Sequence, residues 1–228
     1  AMQMADFAHI GHTEFLTEKF GASETTMTLV SDNIRIALAS NHVAVENIVQ
    51  SLSKEKLIKK MKVLNKSMKQ DFGIEKPVIA VLGLNPHAGD DGVIGQQEQE
   101  FIKPAIKEAK NNGVLVSGPF PADGFFGSGD FRKFDAVLAM FHDQGLVPFK
   151  LLSFGKGVNF TAGLPIIRTS PDHGTAYPIA GKNEASPSSM LKAIYLAKDL
   201  YLNRKEYLEA TKDPVKKTPK RQEEIQDS

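Results

Sequence analysis

The sequence has no cysteine among its 228 residues. This absence excludes disulfide bonds, thiolate nucleophiles and sulfur-ligated zinc, so a bound metal has to use histidine, carboxylate or water. Long hydrophobic runs are also absent. No apolar stretch approaches the roughly 20 residues that span a bilayer, and no basic segment followed by a hydrophobic one opens the chain. We therefore expect a cytoplasmic protein that has no membrane partner.

An excess of charge of either sign is missing as well. Lysine and arginine together number 28 against 27 acidic residues, a balance that leaves no broad basic surface of the kind that attracts nucleic acid. We expect no nucleic-acid partner. Hydrophobic residues make up 41% of the chain, which is enough for a substantial core in a globular protein.

Strand-like runs that alternate with amphipathic segments indicate the fold class. Five runs are typical of strands, namely MTLVS, IRIALAS, PVIAVLGL, VLVS and DAVLAM. Helical spacing connects Leu57, Met61, Leu64, Met68 and Phe72. The lysines of that segment are predicted to form a solvated face: Lys54, Lys56, Lys59, Lys60, Lys62, Lys66 and Lys69. This alternation predicts an α/β fold with a mostly parallel sheet and flanking helices.

Two later segments carry local predictions. GPFPADGFFGSGD, residues 118–130, is rich in Gly, Pro and Asp and predicts a loop. A final helix is expected to begin at Ser186-Pro187, with serine as its cap and proline in its first turn. Its predicted inward residues are Met190, Ile194, Ala197 and Tyr201. After about residue 203 the charged sequence predicts a frayed helix and then a flexible tail.

Three of the six histidines follow a predicted strand directly. His42 ends IRIALASNH, His87 ends PVIAVLGLNPH and His142 ends DAVLAMFH. An isolated histidine of this kind more often satisfies a local turn or caps a helix. In an open α/β sheet, however, residues beyond the carboxyl ends of the strands converge on one crevice. Three imidazoles that meet there predict a divalent-metal site with a position left open for substrate or water.

The loops around the histidines offer further ligand contacts. Asp143 follows His142 and either accepts the remaining imidazole proton or caps the next helix, and the sequence leaves both alternatives open. Lys150, Asn159 and Arg168 flank a glycine-rich run whose backbone can approach a ligand closely. Their two cations are suited to a phosphate or carboxylate on the substrate.

A nucleotide site is predicted farther along the chain. Asp172, His173 and Gly174 lie beside a loop of small residues that leads into the final helix, an arrangement suited to the adenosine or phosphates of a nucleotide. The segment does not match GxGxxG, so an ordinary Rossmann fingerprint is absent.

Seven motifs together resemble the family of 4-hydroxythreonine-4-phosphate dehydrogenases, oxidoreductases of pyridoxal phosphate (vitamin B6) biosynthesis. The resemblance runs from about residue 9 to about residue 202. The motifs are GHTEF at 11–15, ALASNH at 37–42, GLNPHAGDDG at 83–92, GPFPAD at 118–123, AMFHDQG at 139–145, GKGVNFTAGLPIIRTSPDHGTA at 155–176 and AGK at 180–182.

The resemblance implies roles for individual residues. The metal ligands of the family fall on His42, His87 and His142, which with Lys150 form the implied catalytic set. The substrate contacts fall on His12, Thr13, Lys150, Asn159 and Arg168. The segment DHGTA implies cofactor binding by Asp172, His173, Gly174, Thr175 and Ala176. The implied cofactors are NAD or NADP and a divalent metal, zinc first, with cobalt, manganese or magnesium as alternatives.

The resemblance also implies the architecture. The fold expected is that of the isocitrate and isopropylmalate dehydrogenases, in a homodimer whose active site draws ligands from both chains. Residues 1–164 are predicted to bind metal and substrate and to dimerise, 165–203 to return to the nucleotide-binding domain, and 204–228 to form a polar tail. Family members normally carry a longer amino-terminal part with a GDPxGIGPE-type segment. None is visible here, so we expect the first domain to be incomplete.

The expected reaction is oxidation and decarboxylation of 4-phosphohydroxy-L-threonine to 3-amino-2-oxopropyl phosphate. Relatives that oxidise 4-phospho-threonate, 4-phospho-erythronate or aromatic cis-diol carboxylates share the motifs, so these substrates remain alternatives. Lys150 and Arg168 favour a phosphorylated acid. A third alternative is an inactive metal-binding or dimerisation fragment.

Overall fold

A seven-stranded sheet lies at the centre of the computed structural model, which describes residues 9, 11–174 and 177–214. The strands are β1 Thr26–Val30, β2 Arg35–Leu38, β3 Val78–Leu82, β4 Leu115–Phe120, β5 Ala136–Ala139, β6 Val158–Ala162 and β7 Thr169–Pro171. The helices are α1 His12–Lys19, α2 Ile48–Ser51, α3 Lys54–Gln70, α4 Lys103–Asn111, α5 Ala122–Gly127, α6 His142–Ser153 and α7 Ser188–Ala210. Among the described helices, none combines the length and apolar character needed to cross a membrane.

The strand order is β4-β3-β5-β2-β1-β6-β7. The pairs from β4 to β2 are parallel, and those from β2 to β7 are antiparallel. Strand β6 lies two antiparallel steps from β2, so β4, β3, β5, β2 and β6 all run in one direction. The prediction of an α/β fold with a mostly parallel sheet and flanking helices is confirmed.

Apolar residues cover both faces of the sheet. In β3, Ile79 and Val81 face the core beneath α3 and α4. Ala80 and Leu82, which alternate with them, face the core beneath α5 and α6. A strand that is buried on both faces reads as a continuous apolar run, which is why these segments were recognisable as strands. The polar residues that follow each strand therefore lie at the edge of the sheet.

Helix α3 has the predicted apolar face but not a uniformly solvated lysine face. Leu57, Met61 and Leu64 are fully buried, and Ser53 caps the helix by accepting a hydrogen bond from Lys56 N at 3.2 Å. Lys60 is only 7% exposed. Its ammonium lies 2.7 Å from Glu24 Oε1 and donates to the carbonyl of Thr25. The solvated-face prediction is wrong for Lys60 because these partners allow its charge to be buried.

The predicted loop at residues 118–130 is largely regular structure. Strand β4 continues through Phe120, α5 follows at Ala122–Gly127, and a 3₁₀ turn spans Asp130–Lys133. Phe125 and Phe131 are buried in the core beneath α6. The loop prediction is wrong because burial of these large aromatic side chains outweighs the turn preference of the glycines and prolines around them.

The inward face predicted for the final helix is wrong. Met190, Ile194 and Tyr201 are 53–59% exposed and Ala197 is half-buried, whereas Ala193 and Leu200 of the same helix are buried. Apolar residues occur around much of α7, so their spacing alone does not decide which of them faces the sheet. Its predicted start is nearly right, because Ser186 Oγ accepts a hydrogen bond from Ser188 N at 3.3 Å.

Helix α7 continues to Ala210, seven residues beyond the predicted onset of fraying. Arg204 anchors this last part, because its Nε lies 2.6 Å from Oδ1 of the fully buried Asp71 at the end of α3. Residues 215–228 of the predicted tail lie outside the described residues. The division of the chain at residues 164 and 203 stays a prediction.

Candidate metal and substrate site

Two of the predicted metal ligands, His42 and His142, lie side by side. His42 follows β2, His142 begins α6 directly after β5, and β2 and β5 are neighbouring parallel strands. The centroids of the two imidazole rings are 6.2 Å apart. Because imidazole nitrogens bind zinc at about 2 Å, rings at this separation are close to the spacing of two ligands of one ion.

The ends of the two strands are held together by hydrogen bonds. Ser40 Oγ donates to the carbonyl of Met140 at 2.8 Å, and Ala39 N donates to the carbonyl of Ala139 at the same distance. Helix α6 packs closely on β2 at Gly145, where an added Cβ would lie 2.8 Å from Leu38 Cδ2. These contacts fix the direction from which His142 approaches His42.

The carboxylate of Asp143 contacts the His142 ring. Its Oδ1 lies 2.7 Å from His142 Nδ1. The residue that precedes α6, Phe141, makes no side-chain cap hydrogen bond. Of the two alternatives for Asp143, the contact with the imidazole is the one seen here. A carboxylate that accepts from Nδ1–H leaves Nε2 available to a metal ion.

Gln144 connects two of the loops at this edge. Its Oε1 accepts a hydrogen bond from Met140 N at 2.7 Å, and its Nε2 donates to the carbonyl of Gly83 at 2.6 Å. The side chain thereby ties the end of β5 to the loop that carries His87. Sequence reasoning missed this role, because Gly83 lies 61 residues before Gln144 and no local pattern reveals the contact.

His87 lies at the same edge but on a different loop. It follows β3, the strand on the other side of β5, and its side chain is exposed. Within residues 9, 11–174 and 177–214, no three histidine, aspartate or glutamate side chains are grouped so that they could hold a metal ion. The single chain therefore presents two neighbouring imidazoles, with the third predicted ligand on the adjacent loop.

The first two predicted substrate contacts belong to a helix. His12 and Thr13 begin α1, and Thr17 of the same helix is 2.8 Å from Thr25 through their hydroxyl oxygens. Thr13 and His42 line one cavity of about 460 Å³, which also reaches Lys60. The GHTEF motif thus lies beside one of the predicted metal ligands.

Asn159 and Arg168 each have a buried polar atom that finds no hydrogen-bond partner in the described part of the chain. Asn159 lies on β6 and Arg168 directly before β7. In the part of the chain that the structure describes, Asn159 Oδ1 and Arg168 Nη1 make no hydrogen bond. Burial lowers the pKa of Arg168. Buried polar atoms normally have partners, so these two are suited to an external polar or anionic group.

Asp172 interacts electrostatically with residues of both the predicted substrate site and the predicted metal site. Burial raises the pKa of its carboxyl group, and the charges of Lys150, His142 and His173 oppose this rise. Lys150 is exposed on α6, two turns after His142. Asp172, which the sequence assigned to the nucleotide, is thus within electrostatic reach of residues assigned to metal and substrate.

The rest of the predicted cofactor segment is only partly described. His173 and Gly174 are exposed, and His173 Nδ1 lies 2.9 Å from the carbonyl of Gly174. Thr175 and Ala176 lie outside the described residues. A larger cavity, of about 610 Å³, includes Arg35, Phe72 and Tyr195 but contains none of the predicted site residues.

Comparisons with known proteins identify a family. The family model for "Pyridoxal phosphate biosynthetic protein PdxA" matches residues 1–197. The 4-hydroxythreonine-4-phosphate dehydrogenase of Bacteroides thetaiotaomicron is 48% identical over 95% of this chain and 60% of that protein. The chain thus spans about 60% of the length of this curated relative.

Solved structures give a consistent result. The crystal structure of 4-hydroxythreonine-4-phosphate dehydrogenase from Klebsiella pneumoniae matches with a TM-score of 0.78 and 37% identity, over 87% of this chain and 60% of the other. A terephthalate 1,2-cis-dihydrodiol dehydrogenase from Burkholderia xenovorans matches with a TM-score of 0.68 and 27% identity, over 83% of this chain and 60% of the other.

Proposed function

The chain belongs to the PdxA family of pyridoxal phosphate biosynthetic proteins, and on this basis we propose that the protein oxidises 4-phosphohydroxy-L-threonine with NAD or NADP. The product of oxidation and decarboxylation is 3-amino-2-oxopropyl phosphate, an intermediate of pyridoxal phosphate biosynthesis. The observation that carries the proposal is the pair of imidazoles, His42 and His142, at the carboxyl edge of the sheet.

The donor chemistry supports a divalent metal, zinc first, with cobalt, manganese or magnesium as alternatives. His42, His87 and His142 hold it in this proposal. Asp143 keeps the His142 ring in one orientation and one tautomer. A bound ion would supply a Lewis acid for the oxygen of the substrate hydroxyl, and a bound nicotinamide would supply the hydride acceptor.

The substrate carries a phosphate and a carboxylate, and the chain has two cations to bind them. Among the described residues, Arg168 Nη1 and Asn159 Oδ1 on the neighbouring strand are buried without a hydrogen-bond partner. Lys150 is exposed on the helix that His142 begins. His12 and Thr13 bind the remaining polar atoms of the substrate from the start of α1. Asp172, His173, Gly174, Thr175 and Ala176 contact the nucleotide.

A second copy of the chain completes the site in this proposal. The end of α6 presents three apolar side chains to solvent: Val147 and Leu151, one turn apart on the helix, and Phe154, directly after it, are 57%, 69% and 84% exposed. Exposed apolar patches of this kind mark interaction surfaces. Lys150 lies within the same stretch of α6. A homodimer formed on this surface brings site residues of two chains together. The second chain then adds the metal ligand that is missing beside His42 and His142.

A substrate screen tests the proposal and separates it from its alternatives. The protein is purified without chelators, its metal content is measured, and NAD and NADP reduction is followed with several substrates. These are 4-phosphohydroxy-L-threonine, 4-phospho-threonate, 4-phospho-erythronate and an aromatic cis-diol carboxylate. We expect the highest kcat/KM with the first. A higher value with another substrate reassigns the enzyme within its family, and no reduction with saturable metal binding favours an inactive module.

A further inference from the structure

The loop that carries His87 has an uncommon backbone. His87, Ala88, Gly89, Asp90 and Asp91 are five successive residues with φ between 42° and 82°. Four of the five are not glycine, and such residues rarely adopt the left-handed conformation, even singly. A left-handed turn of this length persists only where its surroundings determine it.

One buried carboxylate lies against this turn. Glu98 is 1% exposed. Its Oε1 accepts hydrogen bonds from Leu84 N at 2.7 Å and Asn85 N at 2.8 Å, and its Oε2 accepts one from Asn85 Nδ2 at 2.8 Å. Three N–H groups of Leu84 and Asn85, just before His87, therefore converge on Glu98, which lies eleven residues after His87.

No cation accounts for the burial of Glu98. Within the described residues, no lysine, arginine or histidine forms an ion pair with it. An ionised carboxyl group out of water needs compensating partners, and the three N–H groups supply them. The carboxylate and the loop thus stabilise each other.

The turn itself folds closely over the carboxylate. An added Cβ at Gly89 would lie 2.6 Å from Glu98 Oε2, and one at Gly83 would lie 3.3 Å from Glu98 Oε1 and 2.8 Å from Ala88 Cα. Glu98 limits the space at Gly89, whereas at Gly83 the backbone of Ala88 is the nearer obstacle. The segment GLNPHAG therefore packs around the side chain of Glu98, which lies later in the chain.

We propose that Glu98 is a positioning residue that holds the His87 loop in its left-handed turn and thereby sets the affinity of the protein for its metal. The inference rests on the proposed role of His87 as a metal ligand. Glu98 itself binds neither metal nor substrate. Its effect is exerted through the backbone on either side of His87.

The substitution Glu98→Gln tests this role with little change in shape. The new amide group replaces one acceptor oxygen by a donor, so either the two backbone N–H groups or Asn85 Nδ2 loses its acceptor. Glu100→Ala is the matched control, because Glu100 is exposed in the same π-helical turn, Glu98–Ile102. The readouts are zinc affinity, from competition with a chromogenic chelator, and amide hydrogen exchange of residues 84–91.

We expect Glu98→Gln to weaken zinc binding by about 10- to 100-fold, the range seen when a group that orients a metal ligand is removed. Exchange across residues 84–91 should be faster, while Glu100→Ala matches the wild type in both readouts. Wild-type zinc affinity and exchange in Glu98→Gln would overturn the inference. If the wild-type protein binds neither zinc nor the alternative ions cobalt, manganese and magnesium, the proposed function fails, and the exchange measurement alone then decides whether Glu98 positions the loop.

A second variant keeps the test decisive if Glu98→Gln does not fold. Asn85→Ala removes the hydrogen bond to Oε2 and leaves both backbone N–H groups on Oε1. We expect a smaller loss of zinc affinity in the same direction, with faster exchange in the same segment. Unchanged zinc affinity in folded Asn85→Ala would count against the positioning role.

Discussion

At the scale of the residue, Arg168 is half-buried, and its Nη1 is buried with no hydrogen-bond partner among the described residues. We predict that Arg168→Ala raises KM for the phosphorylated substrate by at least about tenfold, since a hydrogen bond to a charged group contributes about 1.5–3 kcal/mol, and changes kcat little. Steady-state kinetics measure both. Arg132→Ala, which removes an exposed arginine, is the control. A large loss of kcat at constant KM would instead indicate a contact made only in the transition state.

Asp172 gives a prediction for the pH dependence of stability. Burial raises the pKa of its carboxyl group in the folded protein. Ionised Asp172 therefore destabilises the fold. This loss in the free energy of unfolding is fully present above the folded-state pKa, and it disappears as the pH falls below the ordinary pKa of aspartate. Asp172→Asn should raise Tm at pH 7, by a difference that shrinks on acidification through this range.

Thermal unfolding at several pH values measures this difference. Asp213→Asn, at an exposed position, is the control and should leave Tm unchanged. A lower Tm for Asp172→Asn at pH 7 would contradict the argument, because it would show that the charged carboxylate stabilises the fold through Lys150, His142 or His173.

At the scale of the element, the contact between α3 and α7 depends on a buried ion pair. Arg204 Nε is 2.6 Å from Asp71 Oδ1, and the two side chains are 11% and 0% exposed. Removal of one partner leaves an uncompensated buried charge, a loss of about 3–5 kcal/mol. We predict that Arg204→Met lowers the free energy of unfolding by about this amount in urea titrations.

Two further variants separate the charge effect from a loss of packing. Lys205→Met changes an exposed neighbour on the same helix and should have little effect. Adding Asp71→Asn to Arg204→Met should recover part of the lost stability, because it removes the unpaired charge. Equal stabilities for Arg204→Met and Lys205→Met would show that the ion pair contributes nothing.

The elements show where sequence reasoning succeeds and where it does not. The strands that precede His42, His87 and His142 were predictable, because a continuous apolar run is a local signal. The inward face of α7 was not, since Met190 and Ile194 are as apolar as Leu196, which packs against the core. The left-handed turn after β3 was also unpredictable, because its carboxylate partner, Glu98, becomes a neighbour only in the folded chain.

At the scale of the whole molecule, strand order decides which predicted ligands meet. Strands β2 and β5 are about a hundred residues apart in sequence, yet they pair, and this brings His42 beside His142. The sequence predicted the edge on which these residues lie. The resemblance implied a site with ligands from two chains, but the residues alone did not show which imidazoles group within one chain, because that depends on strand order and loop conformation.

The proposed dimer makes a prediction at the same scale. Leu151→Asp places a charge in the middle of the exposed apolar surface of α6. We expect this variant to be monomeric in analytical ultracentrifugation and to lose tightly bound metal, because in the proposal two chains complete the ligand set. Leu208→Asp, at an exposed leucine of α7, is the control. A monomeric variant that keeps a full equivalent of metal would show that each chain forms the site alone.

The central claim is that His42, His87 and His142 bind one divalent ion. The direct measurement is the zinc content per chain of the wild type and of His42→Ala, His87→Ala and His142→Ala, each purified without chelators. His173→Ala is the control. We predict one equivalent in the wild type and in the control, with little or none in the three variants. A full equivalent of tightly bound zinc in His87→Ala would contradict the claim.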